Sequence, residues 1–230
     1  KIEEVRFGGW WKEIGLFFAP QSDVYVFNSP LVPLFFNPKN SIVIVYDFAY
    51  KYFKDNSLRN IIKRWYLDLV SALAFRRATW IVSISEATKN DLIKFFKVVP
   101  QKIKVIYPGD SGLNNEQSTK PSIDLAGGEG FFLYVGTVKE RKNLFGVLSA
   151  FALLMQKISS DVKLVVVGKL NENSEYVNKL RRLINEEKLE DQVIFTGHLT
   201  DGELIYLYNN AVALVFPSLL EGFGFPVVEA

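Results

Sequence analysis

Short runs of consecutive apolar residues punctuate the chain, and longer stretches with an apolar residue every three or four positions fall between them. In the first half, Val24–Asn28, Ile42–Tyr46, Trp80–Ile84 and Ile103–Tyr107 are predicted strands. Helices are predicted around Trp10–Leu16, from Ser57 (a candidate N-cap) to Arg77, and from Ser85 to about Phe96. In the second half the predicted strands are Phe131–Val135, Val162–Val167, Val193–Thr196 and Val212–Phe216, with helices at Asn143–Lys157, Glu175–Lys188 and Asp201–Asn209. Runs such as IVIVY and FFLYV are apolar throughout, as parallel strands buried on both faces require. The alternation predicts an α/β protein made of two Rossmann-type, doubly wound parallel-sheet modules, 1–110 and 131–230. The polar, Gly-, Ser- and Asn-rich segment 111–130 is the expected linker.

Composition narrows the chemistry. The 230 residues are 49% hydrophobic and 14% aromatic, enough for substantial cores. There is no cysteine, one histidine and no Asp-x-Asp, so neither a thiolate nor a histidine-rich metal site is expected, and a carboxylate pair for a metal has no obvious source. No run reaches the ~18 apolar residues of a membrane span, and the first fifteen residues are too mixed for a signal peptide, so a cytoplasmic protein is expected. Residues 1–110 carry a net charge of +6 and residues 111–230 a net charge of −4, which favours modules with different partners over an accident of surface charge by no clear margin. No nucleic-acid partner is expected. No Gly-x-Gly-x-x-Gly follows a strand, which removes the fingerprint of a dinucleotide oxidoreductase.

Two stretches hold candidate chemistry. The first, ALVFPSLLEGFGFPVVEA, reads as a buried strand (Ala213 to Phe216), a glycine-bearing loop (Ser218 to Gly224) and a helix start with Pro226 at its first position. Backbone N–H groups at such a helix start suit a phosphate. Glu221 and Glu229 would oppose a phosphate if they faced it, and make better sense as acceptors for hydroxyls beside it; a solvated loop acid and a first-turn acid favoured by the helix dipole are the plainer alternative. The second stretch, GTVKERKN, puts Lys139, Arg141 and Lys142 near a helix start, where cations are unfavourable unless they face an anion. They would serve a diphosphate by charge-assisted hydrogen bonds; a solvated cationic loop is the alternative. His198 after Gly197 is a lone histidine, more often structural than catalytic.

PSLLEGFGFPVVEA resembles the Glu-x7-Glu signature of the family 4 glycosyltransferases, which have the GT-B fold. YVGTVKERKNL, VYDFAY, VSISEATKNDLIK and IKVIYPGD resemble further segments of that family. The resemblance implies that Glu221 contacts the donor sugar, Glu229 the nucleotide ribose, and Arg141 and Lys142 the donor phosphates. Gly136, Gly222, Phe223 and Gly224 would lie against the diphosphate and sugar, Thr137 stands where many members have Arg, and His198 would lie near the base or ribose. Asp47 matches a cleft acid that orients a sugar or acceptor hydroxyl, whereas Tyr46 replaces a family His that contacts the donor sugar.

The implied activity is retaining, metal-independent transfer of a hexose, mannose among the candidates, from a nucleotide-diphosphate sugar to a glycan or lipid-linked hydroxyl. The alternative is a catalytically silent nucleotide-sugar-binding module. The family pattern extends beyond both ends of the chain, so a piece of a longer protein is expected, with edges that favour self-association. The basic, aromatic-bearing helix Ser57–Arg77 is a candidate for contact with an anionic membrane surface, or an ordinary core-facing helix.

Overall fold

The computed structural model describes residues 22–32, 36–53, 57–109, 112–113, 116–123, 130–159 and 161–230. The helix expected around Trp10–Leu16 lies outside the described residues. The chain divides into two compact units, Lys1–Pro108 and Gly109–Ala230.

The first unit has strands β1 (Tyr25–Phe27), β2 (Ser41–Val45), β3 (Trp80–Ser83) and β4 (Ile103–Val105), all parallel, in the order β1-β2-β3-β4. Helix α1 (Ala49–Tyr52) and the 20-residue α2 (Leu58–Arg77) connect β2 to β3, and α3 (Glu86–Phe96) follows β3. The pattern of β2 is buried at Ser41, Val43 and Val45 and half-buried between. Its core joins Val43, Val45 and Ile81 to Phe48, Phe75 and Leu92. Phe48 packs against Phe75 and Phe96 with ring centroids 6.2 and 5.2 Å away. Ser85 caps α3 by accepting the Thr88 N–H, and the Thr88 hydroxyl donates to the Tyr46 carbonyl at 3.0 Å, tying α3 to the end of β2.

The second unit has strands β5 (Phe131–Val135), β6 (Lys163–Val167), β7 (Val193–Gly197) and β8 (Ala213–Leu214), parallel and ordered β7-β6-β5-β8. Helices α4 (Leu144–Met155), α5 (Glu175–Glu186) and α6 (Asp201–Asn210) connect them, and α7 (Phe225–Glu229) follows β8. Alternation along β5 serves two cores. Tyr134 packs with Leu144, Leu148, Leu164, Val177 and Leu180, under α4 and α5. Phe131, Leu133 and Val135 pack on the other face with Val165, Val167 and Leu207 of α6. On α5 the buried positions Val177, Leu180 and Ile184 make one stripe, the helical period realised in packing.

Element boundaries differ from expectation in instructive ways. The strand expected over Val212–Phe216 is shorter and not fully buried: β8 pairs only with β5, Ala213 is exposed and Leu214 half-buried. Two flanking bonds, Val212 N–H to the Phe131 carbonyl and Val215 N–H to the Leu133 carbonyl, continue its attachment. The helix expected from Asn143 starts one residue later, because Asn143 itself adopts a left-handed conformation with φ 57°. Before it, Glu140–Lys142 form a 3-10 turn that the sequence pattern does not reveal. Helix α7 begins at Phe225, placing Pro226 at its second position. Part of the segment expected to be a linker belongs to the second unit: the Thr119 N–H donates to the Gly202 carbonyl at 2.9 Å, and Ile123 packs on the core beneath α6.

Candidate functional site

Strand order sets the place of the site. From β5 the chain steps to β6 and β7 on one side, then returns to add β8 on the other. The loops leaving β5 and β8 are therefore neighbours at the point where the strand order reverses, the carboxyl-end position at which open α/β sheets form a ligand crevice. The loop after β5 carries Gly136 to Asn143, and the loop after β8 carries Phe216 to Gly224.

The two loops are laced together. The Leu219 N–H donates to the Arg141 carbonyl at 2.8 Å, and Asn143 Nδ2 donates to the Pro217 carbonyl at 3.2 Å. Arg141 Nη1 reaches the Leu220 carbonyl at 3.1 Å and Glu221 Oε2 at 3.4 Å. Lys142 Nζ pairs with Glu221 Oε1 and lies 5.1 Å from the centre of the Phe216 ring. Lys142 is only 9% exposed, and the Glu221 side chain 20%. Arg141, Lys142 and Glu221, some eighty residues apart in sequence, thus form one partly buried ion cluster. The two cations do face an anion, and in the protein itself that anion is Glu221. A charge-assisted bond at such a site contributes about 1.5–3 kcal/mol.

Below the cluster, the buried Tyr134 hydroxyl donates to the Lys142 carbonyl at 3.3 Å, propping the 3-10 turn. Burial holds the Tyr134 phenol well above its ordinary range, so it stays a neutral donor. The Phe145 N–H of the first turn of α4 is taken by the Tyr176 hydroxyl at 3.0 Å.

The glycines at the strand ends are required. Gly136 and Gly168 have φ of 153° and 149°. A Cβ on Gly168 would lie 2.0 Å from the Gly136 carbonyl oxygen, so the ends of β5 and β6 approach as closely as only glycine permits. Gly224, with φ 96°, turns the loop into α7. Thr137 is exposed beside Gly136, Gly222 and Phe223 are half-buried, and the Phe223 ring packs edge-on to Phe225 at 5.2 Å. His198 is exposed, just past β7.

Glu229 does not join the ion cluster. Its Oε2 accepts a 2.9 Å hydrogen bond from the Tyr208 hydroxyl on α6. Tyr208 carries no motif signal and was legible only as one more apolar-face residue. Burial first, then the Glu229 bond and charge, push its phenol far up. In the first unit, Asp47 lies just past the carboxyl end of β2, and its Oδ1 accepts the Ala49 N–H at 3.0 Å, closing a local turn two residues on, ahead of α1, whose N-cap residue is Phe48. Tyr46 beside it is 50% exposed. Among the described residues, no group of three or more His, Asp or Glu is placed to hold a metal ion.

Residues 115–230 match the model of the family described as glycosyl transferases group 1, and the chain belongs to that family. It is 28% identical to O-antigen chain mannosyltransferase RfbU of Salmonella typhimurium over 84% of this chain and 49% of that protein. It is 30% identical to alpha-1,3/1,6-mannosyltransferase ALG2 of Saccharomyces cerevisiae over 56% of this chain and 27% of that one. Of solved structures, WaaG, a glycosyltransferase involved in lipopolysaccharide biosynthesis, aligns with a TM-score of 0.67 at 21% identity, over 96% of this chain and 60% of that chain. Anabaena HepE in complex with UDP-glucose aligns with a TM-score of 0.63 at 24% identity, over 83% and 50%. These two establish the fold expected from the sequence, the α/β architecture of GT-B glycosyltransferases. The chain spans about half the length, or less, of the curated relatives it matches.

Proposed function

We propose that this chain is the donor-binding unit, with part of the acceptor-side unit, of a retaining hexosyltransferase that uses a nucleotide-diphosphate sugar without a metal ion. The observation that carries the reading is the meeting of Arg141, Lys142 and Glu221 in the crevice between β5 and β8. Mannose is the proposed sugar, because RfbU and ALG2 are named mannosyltransferases. The proposed acceptor is a hydroxyl of a glycan or lipid-linked glycan, since RfbU is named for the O-antigen chain.

In this reading Lys142 and Arg141 bind the diphosphate oxygens and stabilise charge as it develops on them. Glu221 accepts hydroxyls of the sugar and Glu229 those of the ribose. Gly136, Thr137, Gly222, Phe223 and Gly224 line the diphosphate and sugar, and His198 the base. Asp47 orients a sugar or acceptor hydroxyl. The bond from the anomeric carbon to the diphosphate oxygen breaks, its electron pair leaving with the diphosphate. The acceptor oxygen bonds to that carbon from the same face and gives its proton to the departing oxygen. Holding these atoms in place is the protein's main contribution.

The helix α2 is proposed as a peripheral membrane contact on the cytoplasmic side. Leu58, Ile62 and Trp65 are 79%, 67% and 69% exposed, and Arg59, Lys63, Arg76 and Arg77 are on the same helix. No helix among the described residues is long and apolar enough to cross a membrane. Flotation with anionic vesicles that Trp65→Ser and Lys63→Glu leave unchanged would remove this part.

The test of the donor site is calorimetric titration with GDP, UDP and ADP in the presence of EDTA, followed by transfer assays with the sugar conjugate of the nucleotide that binds. Binding of one nucleotide, weakened about tenfold or more in Lys142→Ala, is the expected result. Binding without transfer points instead to a silent module, the reading that Tyr46 at the family His position favours. No binding by folded protein overturns the proposal for this chain.

A further inference from the structure

We propose that Tyr208 is the positioning residue for Glu229: its phenol holds one carboxylate oxygen so that the other is presented to the ribose hydroxyls. The inference rests on the ribose role proposed for Glu229 and adds a second residue to it, on a different helix.

Glu221 of the loop and Glu229 of the helix, eight positions apart, are held by different chemistry. Glu221 is gripped by two cations, one on each oxygen. Glu229 is held by one neutral donor, on Oε2 alone. Among the described residues, no hydrogen bond to Oε1 is present. A carboxylate has lone pairs on both oxygens, so a single donor fixes its plane and leaves the second oxygen as a full acceptor. A phenol adds no positive charge, so Glu229 keeps its strength toward a hydroxyl and offers no competing cation to the diphosphate.

The supports of the two residues are unequal. Glu229 is on a helix of five residues with one closed turn, which leaves its long side chain little to define it. Tyr208 is on the ten-residue α6, whose Thr200–Glu203 capping box fixes its start. It packs against the core that includes Leu133 and Leu207. The rigid helix thus lends its position to the short one. Burial keeps the phenol protonated across the physiological range, so the donor is always present.

The test compares one nucleoside diphosphate, the tightest binder among GDP, UDP and ADP, with its 2′,3′-dideoxy form, by calorimetry on the whole chain. The unsubstituted protein is expected to prefer the ribose form by about tenfold or more, the value of hydrogen bonds to a charged group. Glu229→Ala should abolish that preference. Tyr208→Phe, which keeps the ring in its core, should cut the preference about threefold to tenfold while leaving the affinity for the dideoxy form unchanged. The double variant should show no further loss, the mark of two residues acting through one contact. Full preference retained in Tyr208→Phe, with Glu229→Ala losing it, overturns the role of Tyr208 and leaves that of Glu229 standing. Equal preference in Glu229→Ala and the unsubstituted protein overturns the ribose role, and this inference with it. An equal loss of affinity for both forms in Tyr208→Phe makes Tyr208 a structural residue and also overturns it.

Discussion

The carboxyl edges of the two sheets carry acids with opposite fates. In the first unit, where β1 to β4 are added in one direction, Asp47 turns to its own neighbourhood and accepts the N–H of Ala49, two residues on. In the second unit the order reverses between β5 and β8, and Glu221 meets Lys142 and Arg141 from a loop about eighty residues earlier. An acid at the end of a strand is satisfied by whatever the topology brings within reach. Neighbouring backbone suffices where successive loops run side by side. A reversal sets side by side two loops that are far apart in sequence, and their side chains meet at that point.

That contrast can be broken at several points. The largest effect is expected from Gly168→Ala, since its Cβ would collide with the Gly136 carbonyl oxygen 2.0 Å away at a φ few other residues adopt. A loss of about 3 kcal/mol or more in denaturant unfolding is expected, confined to the second unit. Lys142→Ala should lower nucleoside-diphosphate affinity about tenfold to a hundredfold in calorimetry, with the fold kept as seen by circular dichroism. Asp47→Ala removes one hydrogen bond from an exposed turn, and should cost the first unit about 1 kcal/mol or less and leave nucleotide affinity as it was. A matching loss of affinity would show that Asp47 serves more than its own turn.

Glu221→Gln has a smaller effect of opposite sign on binding. Freed from their carboxylate, Lys142 and Arg141 should hold a diphosphate about threefold more tightly, while sugar transfer falls. Weaker nucleotide binding in this variant would mean that the cluster depends on Glu221 for its shape more than for its charge. The smallest expected effects are with pH. The Asp91 hydrogen bond, before burial, pushes the exposed Tyr52 phenol of the first unit up to about 12, and burial pushes Tyr208 of the second up further. A phenol raised in the folded state contributes stability that is complete below its ordinary value near 10 and is lost as pH climbs above it. Unfolding followed from pH 9 to 12 should therefore show a decline. Tyr208→Phe should flatten it more than Tyr52→Phe, whose pair is open to solvent.

How much of this was readable beforehand follows the same division. Strand cores such as Phe131–Val135 and the buried stripe of α5 were legible because periodicity is local. Glu221, Glu229, Arg141 and Lys142 were legible as a pattern of residue types. Their pairing was not, since a carboxylate expected to stand beside a phosphate gives no sign that it neutralises the phosphate's own partners. The left-handed Asn143 and the 3-10 turn before it were hidden, because they are fixed by bonds to Pro217 and Leu219, across the crevice. Tyr208 was hidden for a related reason: a tyrosine on an apolar helix face looks the same whether or not its hydroxyl has found a carboxylate.

The Lys142–Glu221 contact bears on how the site meets its ligand. With Glu221 already seated on both cations, half of their positive charge is offset before any diphosphate arrives. On the proposed reading, entry of the donor is an exchange of counterions: the diphosphate takes the cations, and the displaced carboxylate turns to the sugar. Affinity should then respond only weakly to ionic strength, because the anion given up is tethered and cannot be diluted away, and the loss of salt tolerance on removing Glu221 would measure that tether directly.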